Sequence, residues 1–381
     1  MSKRIAILLY STGYGGLEIK TIQRAAHLQS IGVNVKLFYK DCEGSDNIKA
    51  HCNKLGVESQ VLFFQGFIES WENRFINKFR CAFQFIKILK FKPTKVYIPF
   101  NWSCHGFSFL WLCNKFSIPN VISVHGYFPA INNDTNWLKK HSKNIFQYTT
   151  DIFSLTSSSG KNFCNIHKLD ASLIEKVNII PNWISQSDFT YDPDFRSTFR
   201  SRYNIKENDL LFGHVGRLEK IKRSHISIHL LKEFKDKYPL LNPKLIFIGD
   251  GSEESTLKAL VNELSLTEHV IFAGFHTNIA KCYSAIDFNL LTSESEGFGS
   301  TIVEGMAAGC ISVVSDKPGL NDLVDDNHNG IVMKEGANNY SHKIYSVYQS
   351  PFETFRIRVN AMKGLALFDK KAILDKFSTL F

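Results

Sequence analysis

The sequence lacks the features of membrane-spanning, disulfide-stapled and zinc-finger proteins. No window contains the roughly 18 nearly uncharged apolar residues that a spanning helix requires. The eight cysteines form no Cys-x-x-Cys pair and have no histidine at zinc-finger spacing, which predicts free thiols in a reducing cytosol. The opening apolar stretch, MSKRIAILLY, is too short for a secretory signal and runs into a glycine turn, so we expect a first strand there.

Acidic residues are also missing from one long stretch, since none occurs between Glu72 and Asp134. The basic residues in that stretch are Arg74, Lys78, Arg80, Lys87, Lys90, Lys92, Lys95 and Lys115. Residues 1–190 contain 22 Lys and Arg against 12 Asp and Glu, whereas residues 191–381 contain 23 against 24. The positive charge of the first half predicts an anionic partner. No nucleic-acid-binding module appears, so nucleic acid is not the partner that we expect.

Short runs rich in β-branched and aromatic residues alternate with stretches of helical periodicity. The predicted strands of the first half are Arg4–Tyr10, Val33–Tyr39, Val61–Phe64, Val96–Phe100, Val121–Val124, Ile152–Leu155 and Val177–Ile180. Those of the second half are Leu210–Val215, Leu245–Ile248, Val270–Ala273, Phe288–Leu291, Ile311–Val314 and Ile331–Met333. The alternation predicts an α/β protein with two Rossmann-like domains, each a parallel sheet covered by helices. Turn-forming pairs fill residues 181–208, so we expect domains 1–190 and 191–381 with a ligand cleft between them.

A glycine loop, Gly13-Tyr14-Gly15-Gly16, follows the first strand and opens the first helix. Backbone N–H groups at a helix start favour an anion, and glycine lets it approach closely. The loop lacks the Gly-Lys-Ser/Thr of a P-loop and the third glycine of the dinucleotide fingerprint. A phosphate or substrate loop and a plain turn are therefore equally good interpretations.

The richest segment of the sequence is Ser293–Gly309, which passes from a strand end through Gly-Phe-Gly into a helix of small residues. If that helix begins near Ser300, Glu296 precedes it and Glu304 lies just over one turn inside, so both carboxylates can face one crevice. Free N–H groups at Gly299, Ser300, Thr301 and Ile302 would then face a nucleotide diphosphate.

Several such elements occur in order and resemble those of family 4 retaining glycosyltransferases of the GT-B fold, the glycosyl transferases group 1. Glu296 and Glu304 match the E-x7-E signature. The other matching elements are Gly15-Gly16-Leu17-Glu18, Pro181-Asn182, Gly216-Arg217-Leu218 with Lys222, Gly249-Asp250-Gly251 and Ala273-Gly274. The resemblance implies two facing Rossmann-like domains, and it leaves open whether the last helix packs back on the first domain.

The resemblance also implies roles for individual residues. Arg217 and Lys222 would bind the donor diphosphate, Glu304 the ribose hydroxyls and Glu296 the hydroxyls of the transferred sugar. His125, at the carboxyl end of a predicted strand, would lie beside the anomeric carbon, although a hydrogen-bonded loop histidine is the simpler alternative. Fixed cations and carboxylates suit these tasks chemically. The remaining donor contacts implied are Gly15, Gly16, Gly297, Phe298, Gly299, Ser300, Thr301 and Ile302.

No metal and no cofactor are expected beyond the nucleotide diphosphate sugar as co-substrate. Asp192-Pro193-Asp194 spells an Asp-x-Asp triplet, which binds a divalent cation in other glycosyltransferases. It lies in the turn-rich segment with a proline between the acids, where aspartates more often cap helices and turns.

The segment 71–91 predicts a helix with two distinct faces. Trp71, Phe75, Phe79, Phe83 and Ile86 share one face, and Arg74, Lys78, Cys81, Gln84 and Lys87 share another. A basic amphipathic helix of this kind is typical of contact with an anionic membrane surface. Packing of the aromatic face in the core is an equally good interpretation.

These features together predict a hexosyltransferase that moves a sugar from a nucleotide diphosphate donor to the hydroxyl of a glycan or lipid-linked acceptor. We expect it to serve bacterial surface polysaccharide or lipopolysaccharide assembly. A nucleotide-sugar 2-epimerase of the same architecture and a catalytically inactive membrane adaptor are the alternatives. The expected location is cytoplasmic, with peripheral contact to the inner face of the cell membrane left open.

Overall fold

The computed structural model describes residues 3–66, 74–100, 106–126, 145–146, 148–334 and 340–381. It has two compact units, the first formed by Met1–Asn182 with Lys371–Phe381 and the second by Trp183–Lys370. The division therefore falls after Asn182 rather than after residue 190, and the end of the chain belongs to the first unit.

The first unit alternates strands and helices. Its strands are β1 Arg4–Leu9, β2 Asn34–Lys40, β3 Glu58–Leu62, β4 Lys95–Phe100, β5 Asn120–Val124, β6 Thr149–Ser154 and β7 Val177–Ile179. The described helices are α1 Gly16–Ser30, α2 Ser45–Lys54, α3 Arg74–Lys90, α4 Phe107–Lys115, α5 Ser157–His167 and α6 Ala171–Ile174. The strands pair in parallel in the order β3-β2-β1-β4-β5-β6-β7. The side on which successive strands are added to the sheet therefore switches between β1 and β4, and doubly wound sheets open a crevice for ligands at this point.

The second unit has the same design. Its strands are β8 Leu211–Val215, β9 Lys244–Ile248, β10 Val270–Gly274, β11 Phe288–Leu291, β12 Ile311–Ser315 and β13 Ile331–Met333. Its described helices are α7 Pro193–Arg202, α8 His225–Lys237, α9 Glu254–Glu263, α10 Ile279–Cys282, α11 Ser300–Ala307, α12 Tyr340–Gln349 and α13 Pro351–Gly364. The parallel order is β10-β9-β8-β11-β12-β13, with its reversal between β8 and β11.

The central strands of both sheets are buried on both faces, which is why they are almost uninterrupted apolar runs. All five residues of β8 and all five of β12 are buried. One predicted strand is displaced: the run Val61–Phe64 continues past the end of β3, and the Phe63 side chain is exposed. The predicted α/β architecture of two Rossmann-like sheets is confirmed.

The last helix, α14 Lys370–Ser378, covers one face of the first sheet from Lys371 onward. The ring of Phe377 is fully buried and lies 5.5 Å from that of Tyr97 and 5.7 Å from that of Phe153. The Nε2 of His27 on α1 is 2.9 Å from the hydroxyl of Ser378. Aromatic contacts with strands β4 and β6 therefore make the end of the chain part of the first core.

Helix α3 exposes its aromatic face and buries the opposite one. The aromatic side chains Phe75, Phe79 and Phe83 are 74%, 62% and 66% exposed. The side chains that enter the core are Asn77, Cys81, Gln84, Phe85 and Ile88. Cys81 and Gln84, which the periodicity placed on the same face as the basic residues, are buried, and Trp71 lies outside the described residues.

Among the described residues, no helix combines the length and the apolar character that crossing a bilayer requires.

Candidate functional site

β8 and β11 are neighbours at the point where the strand order of the second sheet reverses, so their carboxyl ends lie side by side. β8 leads into Gly216-Arg217-Leu218 and then a 3₁₀ turn, Lys220–Lys222. β11 leads into the loop that holds Glu294 and Glu296, and the N–H of Glu294 donates to the carbonyl of Ile221 at 2.9 Å. Two predicted donor elements, far apart in sequence, are therefore hydrogen-bonded neighbours at the preferred ligand position of such a sheet.

Glycines let the loops after β8, β9 and β10 pack against one another. The N–H of Gly216 donates to the carbonyl of Ile248, and that of Gly249 donates to the carbonyl of Gly274. A Cβ at Gly249 would lie 2.2 Å from the Gly216 carbonyl oxygen, and one at Gly251 would lie 2.4 Å from that of Leu218. At the glycine elements recognised in the sequence, the backbones of these loops come into direct contact, which fixes the position of the Arg217 loop.

Lys222 and Glu296 form an ion pair, with the Lys222 Nζ 2.5 Å from the Glu296 Oε1. The hydroxyl of Ser293 donates to the same oxygen at 2.7 Å. Among the described residues, Oε2 of Glu296 has no hydrogen-bond partner and the exposed guanidinium of Arg217 has no polar contact. The structure therefore joins Lys222 to Glu296, while Arg217 projects from the same loop into solvent.

The loop after β12 supports Glu296 from another side. The N–H of Glu296 donates to the carbonyl of Pro318 at 3.1 Å. At Gly319, where φ is +84°, a Cβ would lie only 1.8 Å from the Glu296 carbonyl oxygen. Sequence reasoning missed this support, although the Pro-Gly turn signal after a predicted strand was visible.

Helix α11 begins at Ser300 with Gly299 as its N-cap in the left-handed region, at φ +69°. In the described residues, the N–H groups of Gly299, Ser300 and Thr301 have no hydrogen-bond partner. The expectation of a free N–H at Ile302 is wrong, because this group donates to the Gly299 carbonyl at 2.9 Å. Phe298, just before the cap, is buried, with its ring 5.5 Å from that of Phe368.

Glu304 lies on α11 and accepts a hydrogen bond from the hydroxyl of Tyr283, 2.8 Å from its Oε2. Burial and the neighbouring carboxylate raise the pKa of Tyr283 well above its ordinary value, so this phenol stays a donor. A Cβ at Gly305 would lie 2.8 Å from the side-chain nitrogen of Asn289 on β11. The small residue lets α11 approach the sheet closely and so places Glu304.

A buried histidine that sequence reasoning missed lies beneath the Lys222 loop. His214 on β8 has its two ring nitrogens 3.1 Å from the hydroxyls of Ser227 and Ser224, which belong to the start of α8. Burial, and then the charge of Lys222, lower the pKa of His214 to about 3. This neutral imidazole ties the strand to the helix that follows the loop.

In the first unit, the glycine loop after β1 is held by Glu18 of α1. The buried Glu18 carboxylate accepts hydrogen bonds from the N–H of Gly15, at 2.8 Å, and from the hydroxyl of Ser11, at 2.6 Å. The N–H of Gly15 is therefore already used and is not free for a phosphate, which corrects that part of the phosphate-loop interpretation. Gly16 begins α1, and no hydrogen bond of its N–H occurs within the described residues.

His125 follows β5 and is half-buried. Its Nε2 lies 2.7 Å from the hydroxyl of Ser123 on β5, and its backbone N–H donates to the carbonyl of Phe100. Burial, and then the charge of Arg24, hold the pKa of His125 well below its ordinary value. The imidazole is consequently neutral near pH 7.

Asp192 caps α7, as its setting in the sequence indicated. Its Oδ1 accepts from the N–H of Phe195 at 2.9 Å, and its Oδ2 is 2.9 Å from the ammonium of Lys281. These bonds hold the pKa of Asp192 below its ordinary value. Among the described residues, no group of three or more His, Cys, Asp or Glu side chains is placed to bind a metal ion.

The fold and the site define a class of protein. The chain matches the crystal structure of Anabaena Alr3699/HepE in complex with UDP with a TM-score of 0.82 at 20% sequence identity, over 99% of each chain. Two parallel Rossmann-like sheets with this likeness are the GT-B fold, which confirms the expected fold class.

The sequence comparison agrees with the family recognised from the motifs. Residues 195–363 match the model of glycosyl transferases group 1, which confirms that recognition for this part of the chain. The narrower assignments, family 4 and retention of configuration, stay predictions.

Two curated relatives illustrate the range of the family. An O-antigen biosynthesis glycosyltransferase, WclY of Escherichia coli, is 33% identical over 151 residues, which are 39% of this chain and 40% of WclY. An N-acetylgalactosamine-N,N'-diacetylbacillosaminyl-diphospho-undecaprenol 4-alpha-N-acetylgalactosaminyltransferase of Campylobacter jejuni is 32% identical over 132 residues, 34% of this chain and 35% of that enzyme. The chain spans about half or less of the length of the curated relatives it matches.

Proposed function

We propose that the protein transfers a sugar from a nucleotide diphosphate donor to an acceptor hydroxyl, with retention at the anomeric carbon, in the assembly of a bacterial surface polysaccharide or lipopolysaccharide. The observation that carries the proposal is the Lys222–Glu296 pair at the reversal point of the second sheet. Support comes from the group 1 domain and from the relatives, one of which is named for O-antigen biosynthesis and another for a diphospho-undecaprenol substrate.

The second unit offers complementary groups for each part of such a donor. An ammonium has three donor hydrogens, so Lys222 can keep its bond to Glu296 and still bind diphosphate oxygens. Arg217 adds a planar cation, and the N–H groups at the start of α11 add aligned dipoles. The Oε2 of Glu296 can accept a hydrogen bond from a sugar hydroxyl, and the Glu304 carboxylate can accept from ribose hydroxyls.

In the proposed reaction, the bond between the anomeric carbon and the diphosphate oxygen breaks and its electron pair stays on that oxygen. Lys222, Arg217 and the start of α11 stabilise the negative charge that develops there. The acceptor oxygen forms the new bond to the anomeric carbon on the same face, and its proton passes to the departing diphosphate. The step needs no metal in this proposal, and turnover that is unchanged by EDTA would agree with it.

The most informative first experiment is thermal unfolding with a panel of nucleotide diphosphate sugars, starting with UDP-glucose. A matching donor should raise the unfolding temperature in a concentration-dependent way, because it binds only the folded state. Release of free nucleotide with and without acceptor glycans then separates the candidates. Transfer requires acceptor-dependent release of nucleotide. A 2-epimerase would release no net nucleotide but would convert the donor into its 2-epimer, which chromatography of the nucleotide sugars detects, and an inactive adaptor would do neither.

Two substitutions test the site assignment. Lys222→Ala and Glu304→Ala should each lower kcat/KM at least about 100-fold, since removal of one such stabilising group commonly costs 10²–10³ in rate. Matched controls are Lys258→Ala and Glu254→Ala, which break an exposed pair on α9. Unchanged kinetics in both site variants, with folded protein, would remove the assignment.

We further propose that helix α3 brings the protein to an anionic membrane surface. Its exposed side chains form a patch that is aromatic and basic, consisting of Phe75, Phe79, Phe83 and Ile86 with Lys78, Arg80 and Lys90. The helix has no acidic residue. Apolar side chains can enter the interface while each cation near anionic lipid adds about 1 kcal/mol, so lipid of negative charge is the partner that fits. A lipid-linked acceptor would be presented at the same surface.

Vesicle flotation tests the α3 proposal. The protein should float with phosphatidylglycerol-containing vesicles more than with pure phosphatidylcholine, and binding should weaken as salt rises. Phe79→Ser with Phe83→Ser should abolish flotation, whereas the control pair Phe352→Ser with Phe355→Ser, exposed on α13, should not. Absent flotation, or equal flotation of both double variants, would contradict the proposal.

A further inference from the structure

Two consecutive hydroxyl residues follow β11, and each contacts one partner of the Lys222–Glu296 ion pair. The hydroxyl of Thr292 donates to the backbone carbonyls of Lys222 and Arg223, and both oxygen–oxygen distances are 3.0 Å. The hydroxyl of Ser293 donates to the Oε1 of Glu296 at 2.7 Å. Thr292 and Ser293 are both fully buried. The end of one central strand therefore contacts the main chain of Lys222 and also the carboxylate that its side chain binds.

The chemistry of the groups fixes the direction of the Thr292 bonds. A backbone carbonyl can only accept, so the single hydroxyl proton of Thr292 is shared between two carbonyls in a bifurcated bond. The carbonyl of Arg223 also accepts from the N–H of Ile226 at 2.9 Å, at the start of α8. Thr292 thus binds the chain at the point where the 3₁₀ turn that holds Lys222 passes into a helix.

The backbone next to Lys222 has an unusual conformation. Arg223 has a φ of +49°, in the left-handed region that side chains other than glycine rarely adopt. Such a residue stays in this conformation only where the surrounding structure requires it. Thr292 holds the Arg223 carbonyl, and the hydroxyl of Ser224, the next residue, lies 3.1 Å from the Nε2 of His214 on β8. Two neighbouring strands therefore fix the turn from which the Lys222 side chain projects.

Loss of the Thr292 hydroxyl would disturb this turn more than loss of its methyl group. A carbonyl inside a protein that loses its donor without access to water carries the full cost of its desolvation. Valine has the shape of threonine, but it would leave two carbonyls against a methyl group. The turn would then move toward other donors, and the Nζ of Lys222 could not keep its 2.5 Å contact with the Oε1 of Glu296.

We propose that Thr292 is a positioning residue, which sets the Lys222 ammonium against Glu296 and so presents it to the diphosphate of the donor. Ser293 acts on the other partner, because it binds the same carboxylate oxygen as Lys222 does. The role toward the donor rests on the proposed glycosyl transfer, whereas the contact between Lys222 and Glu296 is a property of the free protein.

Trace acetylation of the free protein with acetic anhydride, read by mass spectrometry, tests the contact. In Thr292→Val the Lys222 amine should react about threefold faster than in the unaltered protein, since a partly buried ion pair commonly protects by a factor of this order. The internal reference is Lys258, paired with Glu254 on α9, which should react equally in both proteins. Unchanged Lys222 labelling in the folded variant would overturn the proposal. If the valine variant does not fold, Thr292→Ala replaces it.

Turnover tests the role toward the donor. Thr292→Val should lower kcat about tenfold with little change in KM, because Lys222 no longer meets the charge that develops in the transition state. Thr292→Ser keeps the hydroxyl and should retain most of the activity. Equal losses in the valine and serine variants would overturn the proposal, since the volume of the side chain and not its hydroxyl would then matter.

The matched control is Thr354→Val in the same unit. The hydroxyl of Thr354 on α13 donates to the carbonyl of Val347 on α12 at 2.7 Å, so this variant also removes a threonine bond to a backbone carbonyl. It should leave both kcat and the labelling of Lys222 unchanged. A loss of activity equal to that of Thr292→Val would contradict a specific role for Thr292.

Labelling and rate separate two kinds of failure. If Lys222 labelling rises as expected but kcat is unaffected, Thr292 positions Lys222 and the role toward the donor is wrong. If the unaltered protein turns over no donor sugar, the proposed function fails, while the labelling still decides whether Thr292 positions Lys222.

Discussion

The two units share a doubly wound parallel sheet but hold their candidate residues by different means. In the second unit, backbone crossings at Gly249 and Gly319 and the direct Lys222–Glu296 pair fix the loops at the sheet edge. In the first, His125 is hydrogen-bonded to the buried hydroxyl of Ser123 on β5, which is in turn hydrogen-bonded to that of Tyr97 on β4. Backbone crossings leave glycines that a sequence displays, whereas a buried side-chain network leaves no local pattern. The predictions below test this difference, from the largest expected effect to the smallest.

Removing the Phe377 ring should affect stability most, because it closes the face of the first sheet over Tyr97 and Phe153. Phe377→Ala should lower the free energy of unfolding by about 3–5 kcal/mol, as is usual for a buried phenylalanine. Urea unfolding followed by fluorescence measures this loss. Phe352→Ala, on the exposed side of α13, should change it by less than about 0.5 kcal/mol. Equal effects would mean that the end of the chain is not part of the first core.

Two glycines of the second unit with the same φ angle allow the cost of a left-handed backbone to be measured apart from the cost of a steric clash. Gly309 and Gly319 both have φ of +84°, but only at Gly319 would a Cβ meet another atom, the carbonyl oxygen of Glu296. Gly309→Ala should cost about 1 kcal/mol for the left-handed backbone. Gly319→Ala should cost about 3 kcal/mol, because the Glu296 loop must also move, and it should impair turnover. Similar losses in both variants would show that Gly319 does not support Glu296.

Acid should destabilise the second unit through His214. Its pKa in the folded protein is about 3 against an ordinary value of 6.5, so between these pH values the unfolded chain binds a proton that the folded protein does not. Stability therefore falls as the pH falls through this window. The pH dependence of the unfolding free energy should be shallower in His214→Gln, by about one proton. An unchanged slope in His214→Gln would contradict a neutral buried His214.

Exposed ion pairs should matter least. Lys232 lies 2.5 Å from Asp236 one turn later on α8. Lys232→Ala should change the unfolding free energy by at most about 0.5 kcal/mol, and added salt should reduce even that difference. A loss above about 1 kcal/mol would mean that the second unit depends on surface charge as well as on its glycine crossings.

The motifs of the second unit were predictable because each requires a residue type at a fixed place. Glycine is required at positions 249 and 251 because a Cβ there would clash with a neighbouring backbone. The start of a helix at Ser300 places Glu304 one turn inside that helix. The first unit was less predictable. Tyr97 is an ordinary residue of an apolar strand in the sequence, and only the structure shows that its hydroxyl is hydrogen-bonded to that of Ser123.

Helix α3 shows where amphipathic pattern is insufficient. Its periodicity defined an aromatic face correctly, but two uses of that face fitted the sequence equally well. Only packing shows that Phe79 and Phe83 point to solvent while Cys81 and Phe85 enter the core.

The sequence alone determined the alternation of strands and helices, the two sheets and the glycine-bearing loops at their edges, because these follow from local periodicity and backbone sterics. Only the tertiary structure decided that Lys222 faces Glu296, that the N–H groups of Gly15 and Ile302 are already used, that Phe377 completes the first core and that His125 is hydrogen-bonded to Ser123. Those outcomes depend on which distant side chains compete for the same donor, acceptor or cavity, and such competition is settled only when the chain is packed.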